Sequence, residues 1–394
     1  MPDVVAISLQ EIAPIAYSFL GGSYLTPYFD RIIATVYLAA KLHSNGSQRL
    51  EHVATRSLGM TGLMIFAKPQ FTERIRWIQS AGAGVGFWNM GNKGAVAMRL
   101  GVSCPGSSVL NLTFIAAHLA PHEWNVEARN KDWENIVRNL VFVNNDHSGY
   151  SSSEEQPLLS DAENAPSDNN GLFTPGNFIS FAGDLNYRTS DIPPSKQSHE
   201  AYPKIILSDS FSSHLNQLLK KDQLLREKEA MRTLHGFEEL PIQFPPTYKY
   251  IIRKDKGANL QKLATPELEE SWTWAKHRYP SWCDRILFLP SPSSADLEPY
   301  KYTTLPIQST SDHRPVVLAI RIPNKPLPYN TEDIRSNPPF PINPHWRSRR
   351  DTARRWEVIV GLLSYLALTR KGNAIIVSLF GAAFAGWWMT HWLR

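Results

Sequence analysis

The chain has 394 residues, 42% of them hydrophobic and 20% charged, with a formal net charge of +5. This leaves room for one large two-layer α/β domain with a sizeable core, and it weakly favours an anionic partner: phosphate groups, nucleic acid or an acidic membrane face. The two cysteines, Cys104 and Cys283, exclude a disulfide scaffold and read as thiols of a reduced, cytosolic domain.

The first residues, Met1-Pro2-Asp3-Val4-Val5, lack a basic region followed by a long apolar run, so no signal peptide is expected. Short β-branched or aromatic runs at 4–9, 62–67, 95–100 and 112–117 predict strands. A helix is predicted over 123–143. Residues 144–170 are rich in Ser, Glu, Asp and Asn and read as a disordered surface insertion, most simply a solvated loop. A strand at 178–182, a helix at 210–231 and strands at 286–289 and 316–320 follow. Many strands with a few helices between them predict an α/β sandwich, two packed sheets covered by helices. No internal repeat is visible.

The domain, residues 1–322, is expected to end near Ile322. Prolines crowd 323–344, which suits an extended tether, and the linker at 323–355 closes on Arg347, Arg349, Arg350, Arg354 and Arg355. That basic cluster is expected on the cytosolic side of a membrane, touching anionic lipid. Residues 356–368 are apolar, too short to span upright, and contain Glu357. They read as an interfacial helix, with one arm of a hairpin or a core helix as alternatives. Residues 374–393 carry no Asp, Glu, Lys or Arg. Twenty helical residues span roughly the 30 Å hydrocarbon core of a bilayer. Trp387, Trp388 and Trp392 cluster near one end, Arg370 and Lys371 precede the segment, and Arg394 alone follows. The layout within 356–394 is that of a C-terminal tail anchor; a buried soluble helix is the bland alternative.

The polar residues of interest fall beside the predicted strands. Glu11 follows the first, His118 the fourth, and Asp184 and Asn186 the fifth; Asp284 precedes the sixth, and Asp312 and His313 the last. Each alone is weak, since a single carboxylate is commonly a cap and a single histidine a structural one. Strands running up and down in a sandwich bring such positions to one edge. Four carboxylates, two histidines and one amide then suit a hard metal and a phosphate.

At these residues the sequence resembles the inositol polyphosphate 5-phosphatases of the endonuclease/exonuclease/phosphatase superfamily. The matching pieces come in order. They are Ser8-Leu9-Gln10-Glu11, Gly91-Asn92-Lys93-Gly94, His118-Leu119-Ala120-Pro121-His122 and Arg129-Asn130 with Asp132, followed by Phe181-Ala182-Gly183-Asp184-Leu185-Asn186-Tyr187-Arg188. Pro245-Pro246-Thr247-Tyr248-Lys249-Tyr250, Pro280-Ser281-Trp282-Cys283-Asp284-Arg285-Ile286-Leu287 and Ser311-Asp312-His313-Arg314-Pro315-Val316 complete them. The resemblance implies a DNase I-like fold, a four-layer α/β sandwich of two mixed β-sheets flanked by helices, here with a C-terminal transmembrane helix.

The resemblance also implies roles. Glu11 is the expected Mg²⁺ ligand. Asp184 is expected to position and deprotonate the attacking water, with Asn186 orienting the site. His118 and His313 are expected to hold the scissile phosphate. Asp284 is expected to keep His313 oriented and protonated, and Asp312 to support the metal or its shell. Tyr248, Lys249, Lys276 and Arg278 resemble the residues that contact a 4-phosphate, and Lys93 and His122 are further candidates for substrate phosphates. The implied reaction removes the 5-phosphate of phosphatidylinositol 4,5-bisphosphate or a related phosphoinositide. The implied partners are the lipid substrate and an anionic membrane surface, with no nucleic acid. The layout resembles tail-anchored fungal endoplasmic-reticulum members of the family, which places the domain on the cytosolic face of that membrane.

The match has departures. A strand carrying an asparagine ordinarily precedes the Gln-Glu motif and is expected to be absent here. Pro121 and Ser281 stand where alanine is common, and His277 lies between Lys276 and Arg278. The missing strand keeps open a catalytically impaired phosphoinositide-binding or tethering protein. A divalent-metal nuclease of the same superfamily is the other alternative, against which Tyr248, Lys249, Lys276 and Arg278 argue. Duplex binding needs a long basic stripe, and none is visible in the domain.

Overall fold

The structure, a computed structural model, describes residues 1–144, 170–203, 205, 213–252, 272–291, 297–308 and 310–392. The predicted insertion at 144–170 therefore lies almost wholly outside the described residues. In chain order the strands are β1 (Val4–Gln10), β2 (Glu51–Leu58), β3 (Thr61–Ala67), β4 (Ile75–Gly84), β5 (Gly94–Ser103), β6 (Val109–His118), β7 (Val143–Asn144), β8 (Asn177–Asp184), β9 (Tyr250–Ile252), β10 (Trp272–Trp274), β11 (Asp284–Phe288), β12 (Glu298–Thr304) and β13 (Val316–Arg321). The α-helices are α1 (Ile15–Leu20), α2 (Thr26–His43), α3 (Pro69–Thr72), α4 (Val126–Asn139), α5 (Ser213–Leu219), α6 (Gln223–Glu229), α7 (Trp346–Leu368) and α8 (Arg370–Trp392).

A six-stranded sheet runs β11-β8-β6-β5-β4-β7, and a three-stranded sheet runs β1-β3-β2. Side-chain alternation along β3 explains how they stack. Leu63 and Ile65 face one way and pack with Val96, Met98, Leu100, Leu112 and Phe178 of the large sheet. Met64 and Phe66 face the other way, against Phe29 and Ala40 of α2. The far side of the large sheet offers Ala97, Ile115 and Phe181 to Trp133, Ile136 and Val137 of α4. The result is four layers, α2, small sheet, large sheet and α4, as the sequence predicts. The β12-β13 ribbon adds Leu318 and Ile320 to the core between the sheets.

Some boundaries move for local reasons. The helix predicted over 123–143 runs over Val126–Asn139. The one predicted over 210–231 is broken within the described residues, because Asp222 caps a new helix through its side chain on Leu225 N–H. Asp222 is also buried against Arg285, whose guanidinium pairs with Glu239 on its other side.

The largest correction concerns the tether. Residues 323–355 are not an extended linker. Leu327 is buried in the core between the sheets. Arg335 is buried and donates to the carbonyls of Asn177, Leu289 and Pro290. Prolines bar a helix there but permit a strap pinned by side chains. Helix α7 begins at Trp346, ten residues before the apolar stretch at 356–368, because the arginine-rich segment is itself helical. Its buried residues Trp346, Ala353, Glu357 and Gly361 face the domain, while Val358, Ile359, Leu362 and Leu363 are exposed. Gly361 sits so close to Phe19 and Leu20 that an added Cβ would meet them at 3.0–3.1 Å.

The pairing of Asp222 and Arg285, fully buried on both sides, carries a stability prediction. Removing one partner of a buried ion pair typically costs about 3–5 kcal/mol; here Glu239 stays on the Arg285 guanidinium, but the loss of the Asp222 side chain also removes the cap of α6. Asp222→Ala is expected to lower unfolding free energy by that order in urea titrations. A loss below about 1 kcal/mol contradicts this view of the network.

Candidate active site

Strand register builds the site. His118 at the end of β6 stands beside Asp184 at the end of β8, and Asp184 stands beside Asp284 at the start of β11. On the other side, Gly94 pairs with His118, which brings Lys93 to the same rung. Gly183 makes the close approach possible. It lies at φ +143°, and a Cβ there would come within 2.0 Å of the Ala117 carbonyl oxygen.

The side chains at this rung interlock. Asp184 is buried and accepts from Asn186 N–H and Asn186 Nδ2 at 3.0 Å each. Asn186 Nδ2 also donates to the Leu119 carbonyl. His118 Nε2 lies 3.3 Å from Asp184 Oδ2, and the Lys93 ammonium reaches the same ring. Nε2 therefore faces an acceptor and a donor, and its proton decides which it bonds. Strand β1 leans on the large sheet, where Ser8 Oγ and Gln10 Nε2 donate to the carbonyls of Ala182 and Ala117. This places Glu11 Oε1 3.8 Å from Lys93 Nζ, with the Glu11 side chain 66% exposed.

A second arm comes from the strand ends at 247–250 and 311–314. His313 Nδ1 lies 2.8 Å from Asp284 Oδ2 and His313 Nε2 3.9 Å from Asp312 Oδ1. Tyr248 bridges Ser281 and His313, with its ring 4.5 Å from the imidazole. Lys249 pairs with Asp312. Thus Glu11, Lys93, His118, Asp184, Asn186, Asp284, Asp312, His313, Tyr248 and Lys249 all meet at one edge.

The remaining candidates sit on the rim. Arg278 Nη2 lies 3.4 Å from His122 Nδ1, and the His122 ring stacks on Trp124. Burial, then the charge of Arg278, pushes the His122 imidazole below its ordinary value. Lys276 is exposed; its carbonyl accepts from Tyr202 at 3.5 Å, and among the described residues no contact ties its ammonium to the centre.

The electrostatics separate the groups. Burial alone would raise the Asp184 carboxyl, but His118, His313 and Arg188 hold it below the usual carboxylate range. Burial alone would lower His313, but the adjoining Asp284 carboxylate overrides it and raises the imidazole to about 9. Burial and, secondarily, the neighbouring Asp184 charge leave Asp284 raised even though His313 pulls it down. The pair is best described as an imidazolium held by a carboxylate.

Donor atoms of Asp184, Asp284 and His313 lie within 4.8 Å of one another, close enough to share a cation. An imidazolium, however, does not ligate. The donors that fit a hard divalent ion are carboxylate oxygens, and the carboxylate of Glu11 on the same rim is the most exposed of them, ahead of Asp312.

Residues beyond the sequence candidates also take part. Arg188 is buried, donates to the Asn186 carbonyl at 3.0 Å and lies 4.4 Å from the Tyr248 ring centre. Arg129 donates to the carbonyls of Ala120 and His122, and Asp132 accepts from Ala120 N–H. All three stand in the quoted motifs; what hid them is that they act on backbone rather than on a ligand. Backbone conformation is a further signal. Glu11, His122 and Asn186 have φ of 53°, 76° and 58°, a region that non-glycine residues occupy at a cost and that clusters at functional sites.

The family model of the endonuclease/exonuclease/phosphatase family 2 matches residues 1–319. The polyphosphatidylinositol phosphatase INP53 of Saccharomyces cerevisiae is 28% identical over 81% of this chain and 24% of its own length. The human phosphatidylinositol 3,4,5-trisphosphate 5-phosphatase 1 is 31% identical over 67% of this chain and 19% of its own. The chain thus spans about a quarter or less of these two relatives. Among solved structures, the inositol polyphosphate 5-phosphatase domain of SPsynaptojanin, with inositol (1,4)-bisphosphate and a calcium ion, superposes with a TM-score of 0.54. It is 22% identical and covers 90% of this chain and 84% of that domain, which is a likeness of fold. Since the family model takes in the whole β1–β6 half, the β8–β11 rung and the His313 arm, the chain belongs to the endonuclease/exonuclease/phosphatase family 2.

Proposed function

We propose that the chain is a Mg²⁺-dependent phosphohydrolase that removes the 5-phosphate of phosphatidylinositol 4,5-bisphosphate, or a closely related phosphoinositide, at a membrane surface. The observation that carries this reading is the juxtaposition of a low-pKa Asp184 with Asp284 across one strand rung, with the imidazolium His313 held on Asp284 within reach of both. The names of the matched relatives, phosphoinositide and inositol phosphate 5-phosphatases, support the substrate class.

Asp184 stays ionised and accepts a hydrogen bond from the attacking water, orienting it and taking its proton as it bonds to phosphorus. Asn186 holds the Asp184 carboxylate still. His118 and Lys93 face the phosphoryl oxygens, and His313, kept protonated by Asp284, supplies positive charge and a proton where negative charge develops. Lys249, Arg278 and Tyr248 line the neighbouring side, where a 4-phosphate is held, with Lys276 and His122 at the outer rim. Glu11 is the residue to hold Mg²⁺, with Asp312 in support. The ion, when bound, neutralises phosphoryl charge.

Helix α8 supports membrane action. Among the described residues it is the one helix long and apolar enough to cross a bilayer, and it is almost wholly exposed. Its Trp387, Trp388 and Trp392 gather at one end and Arg370 and Lys371 at the other. We place the catalytic domain on the cytosolic face, with the endoplasmic reticulum as the proposed membrane.

The test is phosphate release from phosphatidylcholine vesicles doped with phosphatidylinositol 4,5-bisphosphate, in Mg²⁺. Asp184→Ala is expected to lower kcat by about two to four orders of magnitude. Release that is equal in the variant, or absent from both proteins, contradicts the reading. A pH profile adds an independent check. His313 is raised, so its charge is fully present below its ordinary value near 6.5 and is lost as pH climbs through about 9. Activity is expected to fall along that upper limb, and Asp284→Asn to move the fall toward neutral pH. An upper limb that does not respond to Asp284→Asn contradicts the assignment.

A further inference from the structure

The turn between β4 and β5 delivers Lys93 to the centre, and much of what fixes it lies outside the sandwich. Trp88 and Asn89 adopt left-handed backbone, with φ of 54° and 60°. Two successive non-glycine residues hold that conformation only where their surroundings enforce it. The enforcing groups come from α7. Arg349 Nη2 donates to Asn89 Oδ1 at 2.7 Å. The Trp356 ring lies 4.5 Å from the Trp88 ring. Gly91 N–H donates to Glu357 Oε1 at 2.7 Å. Trp356 and Glu357 follow Arg349 by two helical turns, so all three project from one face of α7.

The Glu357 contact is the pivotal one. Glu357 is buried, and its other oxygen lies 3.3 Å from Arg354 Nη1. Arg354 is itself tied to the carbonyls of Phe19 and Leu20 at the end of α1. A buried carboxylate is costly to place unless it has such partners, and the Gly91 amide would be orphaned without it. Gly91 in turn leads directly to Lys93. The Gly91 carbonyl accepts from Met60 N–H, the Lys93 carbonyl accepts from Val85 N–H, and the Lys93 ammonium meets His118 and Glu11. The segment that the sequence presents as a linker therefore reaches the loop that carries Lys93 through these three contacts, and the Gly91 amide is the one nearest Lys93 in the chain.

We propose that Glu357 is a positioning residue: by gripping Gly91 N–H from the docked helix α7 it fixes the 86–93 loop and so sets where Lys93 stands in the catalytic centre. The proposal rests on the phosphohydrolase reading for its kinetic consequence, and on geometry alone for its structural one. It also links the anchor to the chemistry, because α7 leads into α8 across Thr369 alone.

The experiment uses the full chain in phosphatidylcholine vesicles and has two readouts: hydrogen exchange of the 84–94 backbone amides, and kcat and KM for release from phosphatidylinositol 4,5-bisphosphate. Glu357→Leu removes the acceptor, Glu357→Gln keeps one, and Trp356→Ala loosens the clamp from a partly exposed position. Glu357→Leu is expected to speed exchange in the loop about tenfold and to lower kcat about tenfold, with KM changed less. Glu357→Gln is expected to recover most of both, and Trp356→Ala to shift both in the same direction as Glu357→Leu. Unchanged loop exchange in Glu357→Leu overturns the proposal, whether or not activity falls. If Glu357→Leu does not fold, the same two readouts on Trp356→Ala decide. A wild-type chain that releases no phosphate sinks the phosphohydrolase reading alone, and loop exchange still decides the clamp.

Discussion

Everything at the candidate site depends on the rung that crosses β5, β6, β8 and β11. Parallel pairing of β6 with β8 and antiparallel pairing of β8 with β11 put His118, Asp184 and Asp284 on adjacent strand ends. A shift of one residue in either register would turn Asp184 to the other face of the sheet. The register is held by the apolar alternation of β8, with Phe178 toward the inter-sheet core and Ile179 and Phe181 toward α4. The same hydrophobic pattern that builds the core therefore aims the carboxylates. Gly183 completes this, since the close strand contact leaves no room for a side chain beside Asp184.

Charge separation follows from that placement. Two carboxylates on neighbouring strands would repel if both were bare. Each has instead its own imidazole partner, His118 for Asp184 and His313 for Asp284, and Arg188 lies behind them. The pairings push one carboxyl down and raise one imidazole, which is how a site comes to hold an acid and a base at the same pH. Lys249 and Asp312 repeat the arrangement one step outward, at the mouth.

How much of this is legible in the sequence depends on how local the signal is. Asp184, Asp284 and His313 were visible because each adjoins a short apolar run, and a strand end is a local feature. The two packed sheets were legible for the same reason. Helix α2 was not, because its few buried residues, Phe29 and Ala40, leave most of the helix exposed and mark no clear apolar face. Strand β2 was hidden by Glu51, His52, Thr55 and Arg56, which an edge strand tolerates. The docking of 323–368 was invisible because its determinants, Arg335 on three carbonyls and Glu357 on Gly91 N–H, are contacts with distant backbone. Glu357 did leave a trace, as the single acid in an apolar stretch, but in sequence an acid facing a buried amide looks like an acid facing water.

The central claim is that the Glu11 edge and the two histidine arms surround one shared site for a hard cation and a phosphate. Paramagnetic relaxation by Mn²⁺, standing in for Mg²⁺, tests it directly through the ring protons of His118 and His313 in the full chain. One equivalent of ion is expected to broaden both rings together, and Glu11→Ala to abolish both effects. Broadening of one ring without the other, or broadening that survives Glu11→Ala, would contradict it.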